Sequence, residues 1–411
     1  MALSLFAATR FLALLASLVA LALPAAAQQR DDAAGFIYGQ VKTHSGTTYE
    51  GLIRWDDEEA FWGDHFNSTK DELPYWRDIP RRERRVPIEV FGIQIGVRGE
   101  WDGETRQLVA RFGDIEKIEV LRGERANLTL RDGSVIEVDG GSNDLGATLM
   151  VHDRDRGVVE VPWRKIDTIR FMAAPAGTEA YDRRLFGTVE TTEGRFEGYI
   201  QWDSEECVAS DVLDGETDDA KLSLPFARIS SIERMGRNRS KVTFASGESE
   251  VMSGSNDVNS DIRGVWVEDP RFGRVQVSWD AFRKVDFKPA PSSGPGYDQF
   301  EKPKELRGSV RDIDGKVYKG RLVFDADEQE TWEMLDGDAG GITYSIPFGM
   351  VASVEPQGGH ASRVTLKNGL DLRLEDSHDV SEDNSGVFVI EGPESKPRYI
   401  PWDEVARIDL E

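Results

Sequence analysis

The chain has a single cysteine, Cys207, in 411 residues. An intramolecular disulfide is therefore excluded, and with it the bridged scaffold on which many small exported domains rely. Its five histidines are scattered. Of these, His44, His65, His152 and His360 have no histidine at the matching positions of the repeats described below. No Cys/His metal cluster, phosphate loop, nucleotide fingerprint or Ser/Cys nucleophile motif is present in the sequence. Positive charge is also scarce, with 50 Lys and Arg against 75 Asp and Glu, a net charge of -25. Such a surface repels phosphate backbones and anionic membranes, so nucleic acid is not an expected partner. Beyond the first residues no apolar run approaches the ~20 residues of a membrane-spanning helix. Disorder is excluded by a hydrophobic content of 39% and 10 tryptophans, enough to bury real cores.

The N-terminus reads as a targeting segment. Arg10 precedes the apolar run Phe11 to Leu23, Pro24 breaks it, and Ala25-Ala26-Ala27 leads into Gln28. That order matches a secretory signal, residues 1–27, cleaved after Ala27. Cys207 lies far from the cleavage site, so no lipid is attached there. The expectation is a periplasmic or secreted bacterial protein with no stable membrane insertion once the signal is removed.

The rest of the chain repeats itself. Gly39…Gly51-Leu-Ile-Arg-Trp55-Asp56 returns as Gly187…Gly198-Tyr-Ile-Gln-Trp202-Asp203 and as Gly308…Gly320-Arg-Leu-Val-Phe324-Asp325. A second type of module follows each copy. It holds Gly141-Ser-Asn-Asp144, Gly254-Ser-Asn-Asp257 or Asp376-Ser-His-Asp379, and ends on Trp163, Trp279 or Trp402 with apolar residues every third position. Six modules in three pairs are expected, at 35–172, 185–288 and 305–411. The first pair carries an insertion at 61–103. Pro/Gly/Ser-rich linkers, Met172 to Leu185 and Lys288 to Lys304, separate the pairs.

Alternation as in Val242-Thr-Phe and Val364-Thr-Leu marks half-buried strands. Asp132-Gly133, Asp314-Gly315 and Asn368-Gly369 mark tight turns, because glycine tolerates positive φ. The repeated glycines as a whole read as turn positions. The closing Trp-x-x-Ile pattern suits a short 3₁₀ turn before a last strand. About five short strands per module are too few to hide both edges of an open sheet, so closure into a small barrel is expected. The fold class is all-β, tandem five-stranded barrels.

Val310-Arg-Asp-Ile-Asp-Gly315-Lys-Val-Tyr-Lys-Gly320-Arg-Leu-Val-Phe324-Asp325 resembles the Sm-like and SH3-like small-barrel superfamily, over about fifty residues of each first-type module. Sm-like members commonly bind RNA through an asparagine a few residues after that aspartate and a later Arg-Gly pair. The matching positions are Ala60, Cys207 and Gln329, and the closing segment has no Arg-Gly pair. RNA binding is therefore not implied.

Three constellations remain. The acidic turns Asp56-Asp57-Glu58-Glu59, Asp203-Ser204-Glu205-Glu206 and Asp325-Ala326-Asp327-Glu328 occupy one place in three modules. Crowded carboxylates can share calcium, which makes Asp56, Glu58, Asp203, Glu205, Asp325 and Asp327 candidate ligands. The plainer expectation is a solvated hairpin tip that discourages edge pairing. Ser-Asn-Asp folds its side chains back onto nearby backbone N–H groups. Ser377-His378-Asp379 cannot act as a triad, because chain neighbours point apart. Trp163, Trp279 and Trp402 read as core plugs, and Cys207 as inert.

The insertion alone is not repeated. Tyr75, Trp76, Arg77, Arg81, Arg82, Arg84 and Arg85 form an aromatic and basic run on an acidic chain, the composition of a contact site. The expected function is therefore a non-enzymatic scaffold or interaction protein. Its partner would be a cell-envelope protein or a second copy of the chain, and no cofactor is required. A calcium-associated binding protein is the first alternative. A cell-envelope hydrolase is the second, and it would need a carboxylate or histidine cluster peculiar to one module, which the sequence does not display.

Overall fold

Strands form where side chains alternate between core and solvent. In Ala126–Leu130, Ala126, Leu128 and Leu130 are buried while Asn127 and Thr129 are half-exposed. The computed structural model built from such segments is all-β, with large antiparallel sheets. It describes residues 33–411 except 72, 80–84, 91–92, 100–104, 141–143 and 394, with backbone only at 76, 78, 85–90, 93–99 and 105. The expected signal, residues 1–27, and Arg81, Arg82 and Arg84 lie outside the described residues.

The first repeat contains β1 (Tyr38–Thr43), β2 (Thr48–Trp55), β3 (His65–Asp71), β4 (Arg85–Val90), β5 (Ile93–Gly99), β6 (Thr105–Arg111), β7 (Ile115–Val120), β8 (Ala126–Leu130), β9 (Val135–Asp139), β10 (Thr148–Asp153), β11 (Gly157–Pro162) and β12 (Ile166–Phe171). The β4–β5 hairpin stands apart within the insertion. The other strands form one ten-stranded sheet in the order β11-β10-β2-β1-β12-β7-β8-β9-β3-β6.

That order departs from two closed barrels in tandem. The first module does not close on itself. Its strands β1 and β2 join β10, β11 and β12 of the second module, while β3, β6 and β7 join β8 and β9. The two five-strand halves meet where β12 pairs with β7. Among the described residues β11 and β6, at the two ends of the order, do not pair. The edge that β2 would expose is covered by β10 from the other module, so exchange of strands does the work expected of closure.

The same pairing pattern recurs in the second repeat, from Phe186–Thr191 to Phe282–Phe287, except that Val212–Glu216 and Lys221–Pro225 form a separate two-stranded sheet. It recurs again in the third, from Arg307–Asp312 to Val405–Leu410. A 3₁₀ turn precedes the last strand at Trp163–Lys165 and Trp402–Glu404. The three tryptophans Trp163, Trp279 and Trp402 are buried.

The repeated glycines divide into two kinds. Gly46, Gly194 and Gly315 have positive φ and are turn residues, as expected. The others are strand residues, contrary to that expectation. Gly39 faces Gly51, Gly187 faces Gly198, and Gly308 faces Gly320 across their hairpins. A Cβ at Gly51 would overlap the His152 carbonyl oxygen, and one at Gly198 that of Glu268. The glycine pairs let three backbones pass at close range where the sheet coils.

The second and third repeats share one hydrophobic core and one sheet, joined where the strand Gly273–Val277 pairs with Ile342–Pro347. The first repeat has its own core, into which Cys207, Tyr297, Phe300 and Trp332 reach from elsewhere in the chain.

Candidate functional site

The acidic turns and the Ser-Asn-Asp segments are two ends of one device. The chain leaves one half of each repeat at the turn after Trp55, Trp202 or Phe324, and returns at Asp144, Asp257 or Asp379. The leaving turn needs two residues at positive φ, filled by Asp56 and Asp57, Asp203 and Ser204, and Asp325 and Ala326. Aspartate tolerates that region better than most residues. Exit and return are tied together. The Trp55 indole donates to the Asp144 carbonyl and the Trp202 indole to that of Asp257, both at 3.0 Å. The returning carboxylates accept the backbone N–H groups of Asn67, Asp214 and Asp336.

The turns are therefore not solvated tips throughout. Asp56 and Asp57 are exposed, but Glu59, Asp203, Asp325 and Asp327 are buried. They lie at crossovers, where the two halves and the neighbouring repeats converge. Asp203 accepts from Asn256 and from the Arg263 backbone and guanidinium. Glu205 and Glu58 also face Arg263, at 2.6 and 4.0 Å. Asp327 lies 3.1 Å from Lys70. Asp325 is bonded to His378 and the Ser385 N–H, with Arg106 at 3.7 Å.

A second recurring carboxylate escaped the sequence reading. Asp64 accepts from the N–H groups of Ala60 and Phe61, Asp211 from Cys207 and Val208, and Glu333 from Gln329 and Glu330. Each also meets a cation from outside its own repeat, in the case of Arg184 from the linker. Arg184 reaches Asp64 at 3.4 Å, Arg54 binds Asp211 bidentately at 2.7 and 3.0 Å, and Lys70 binds Glu333 at 2.8 Å. The recurrence of an acid at one spacing after each turn is a signal the sequence does carry. The cations come from unrelated positions and leave no such signal.

Burial sets the protonation of these groups. The last glutamate of every turn is pushed up. Burial raises Glu206 to about 9, with Asp257 and Asp203 adding to it. Burial and nearby carboxylates raise Glu59 and Glu328 well above the usual range. Burial also raises Asp257 to about 6 and Asp144 to about 7. Burial opposes the charge on Lys70, but Asp327 and Glu333 outweigh it and hold its pKa above the usual value. Cys207 is buried where the second repeat meets the first, and its thiol is pushed well up by burial. A thiol held protonated is a poor nucleophile.

The third repeat adds a cluster that the sequence did not display. Asp325, His378 and Asp379 bring their ligand atoms within 4.8 Å of one another, all buried. The first two repeats have an asparagine where His378 stands. These groups are already engaged: His378 Nδ1 faces Asp325 Oδ2, and Asp379 Oδ2 accepts from Asp336 N. A cation would have to displace those bonds in the presence of Arg106.

Within the insertion, Tyr75 faces the chain's own third repeat. Its hydroxyl accepts from Arg321 at 2.6 Å and its ring packs on Phe388. Ile79 is buried against Val323 and Ala326. Arg77 is exposed. The side chains of Trp76 and Arg85 are outside the described residues. A depression of about 440 Å³ near the third repeat is lined by Lys304, Glu305, Arg307 and Phe348 among others, and Glu305 is paired with Arg307 at 3.1 Å.

No family model matches the chain, and no curated protein matches its sequence. Two solved structures were found. A streptogramin B lyase is 10% identical with a TM-score of 0.12, covering 85% of this chain and 99% of that one. A virginiamycin B lyase from Staphylococcus aureus is 11% identical with a TM-score of 0.11, covering 85% of this chain and 100% of that one. Likeness at this level carries no argument about fold or function.

Proposed function

We propose that this chain is a non-enzymatic, exported scaffold or protein–protein interaction module. One observation carries the reading: the recurring motifs that resemble sites are bonded to one another, exit turn to return segment and repeat to repeat. Their chemistry is spent on holding three repeats together, which leaves recognition to the outer surface. The interleaved five-strand halves support a distant relation to SH3-like barrels. In one half a 3₁₀ turn leads into the last strand, β12, which pairs with the first, β1, and in the other the last strand, β9, pairs with the first, β3. The periplasmic or secreted location rests on the N-terminal segment alone.

The test is a pull-down with the tagged chain from a native envelope fraction, with N-terminal sequencing of the exported protein. Saturable capture of a defined partner and a mature terminus at Gln28 are the expected results. Turnover of cell-wall material by the purified chain, lost when Asp325 or His378 is replaced, would overturn the reading in favour of an enzyme.

A further inference from the structure

The junction between the second and third repeats shows how this fold joins its own sheets. The strand Gly273–Val277 ends one half of the second repeat and Ile342–Pro347 ends the opposite half of the third. They pair antiparallel, Arg274 with Ser345, Val275 with Tyr344, Gln276 with Thr343 and Val277 with Ile342. Two strands of the same kinds remain at sheet edges elsewhere. β11 stands in the first repeat where Gly273–Val277 stands in the second. Lys221–Pro225 stands in the second where Ile342–Pro347 stands in the third. Among the described residues each pairs on one side alone, β11 with β10 and Lys221–Pro225 with Val212–Glu216. The other end strands, β6 and Arg398–Ile400, carry Arg106 and Tyr399 into the junction between the first and third repeats.

We infer that β11 of one copy of this chain receives the Lys221–Pro225 strand of a second copy, repeating the internal junction between molecules. Transferring the register sets Val158 opposite Ser223, Val159 opposite Leu222, Glu160 opposite Lys221 and Val161 opposite Ala220. The pattern is complementary on both faces. Val159, Val161 and Leu222 turn inward, while Val158, Glu160, Lys221 and Ser223 turn outward and are exposed. Glu160 and Lys221 make an opposite-charge cross-strand pair, a favourable arrangement. The surroundings also match in charge. Arg154, Arg156, Arg164 and Lys165 are exposed around β11, and Asp214, Asp218 and Asp219 are exposed around the other strand. An exposed edge with unpaired N–H and C=O groups is a template for such addition. Two different strands meet, so the contact is head-to-tail and copies can be added at both ends.

This inference rests on the reading of the chain as an interaction protein, and its test is separate. Sedimentation of the purified full chain across a wide concentration range should show reversible growth beyond the monomer. Glu160→Lys and Lys221→Glu should each weaken association by about tenfold, by turning one attractive pair repulsive. The double variant should restore it, which a misfolded protein could not do. A chain carrying Val158→Cys and Ser223→Cys should form intermolecular disulfides under mild oxidation. A wild-type chain that stays monomeric, or one that associates equally well with either single charge reversal, would overturn the inference. A monomeric chain that still captures an envelope partner would overturn the inference and leave the interaction reading standing. A monomeric chain with an empty pull-down would overturn both.

Discussion

The second and third repeats are joined by paired strands and apolar surface, whereas buried charge nodes recur wherever the first repeat meets the others. At the former junction two edge strands pair, and Tyr344 packs against both Phe196 and Phe272. At the latter, Arg54, Arg184 and Lys70 enter carboxylate nodes, beside apolar contacts that Cys207 and Trp332 make with the first repeat's core and that Ile79 makes with Val323. Strand pairing satisfies every group it covers and asks little of the exact side chains. A buried ion pair behaves differently. Its net contribution is small, because desolvation offsets attraction, yet removing one partner strands the other charge. The first repeat is therefore held in a specific pose by contacts that are costly to break singly.

That contrast can be broken most directly at Lys70, which serves Asp327 and Glu333 together. Lys70→Ala should cost about 3–5 kcal/mol, measured by urea unfolding followed through tryptophan fluorescence. A cost below about 1 kcal/mol would place the pair in the class of exposed salt bridges and remove the contrast. The apolar junction should yield slightly less. Tyr344→Ala should cost about 2–4 kcal/mol through lost packing. Its cost should not change with added salt, and a strong salt dependence would mean that charge matters at this junction too.

The unequal legibility of these regions has a physical origin. Strands, turn glycines such as Gly315 and the buried tryptophans follow from local period and backbone sterics, which a short window of sequence contains. The three-fold repetition is likewise written in the chain. Strand exchange is not, because nothing local in Gly51 to Trp55 says whether β3 or β10 will take the neighbouring edge. Burial of the acidic turns was missed for the same reason. Asp203 and Asp325 look like surface residues until Arg263, Arg106 and His378 are brought to them from distant positions. The recurring caps Asp64, Asp211 and Glu333 were legible in spacing, but of their cations Arg184 lies in a linker, and Arg54 and Lys70 occupy unrelated places in the first repeat.

Acidity offers a further separation of the two kinds of contact. Glu206 is raised from 4.5 to about 9 by burial, Asp144 from 3.8 to about 7 and Asp257 from 3.8 to about 6. In the unfolded chain these acids lose their protons at the lower values, while the folded chain retains them. The folded state thus binds more protons through this window, and stability falls as pH rises. For Glu206 the loss runs from about pH 4.5 to about 9. Thermal melts should show a declining midpoint from pH 5 to pH 8, and Glu206→Gln should flatten it. A midpoint that rises over that range would show that the crossovers bury ionised rather than protonated acids. The cost of Tyr344→Ala should be nearly the same at both ends of the range, since no titrating group dominates that contact.

The smallest change sharpens what kind of charge the first junction uses. Arg54 offers two nitrogens to the two oxygens of Asp211 and also donates to the Asp57 carbonyl, so a single planar group links the first repeat's acidic turn to the second repeat's cap. Arg54→Lys keeps the positive charge and loses the fork. If charge alone holds the junction, the variant should be nearly neutral. The geometry argues otherwise, because an ammonium can approach one oxygen well but cannot bridge the carboxylate and the turn carbonyl together. The expected cost is about 1 kcal/mol, set by one or two lost hydrogen bonds. It should appear in a double-mutant cycle with Asp211→Asn as a coupling of similar size. Zero coupling would mean that Arg54 acts through its packing stem, and the first repeat would then be joined more like the third than the contrast above allows.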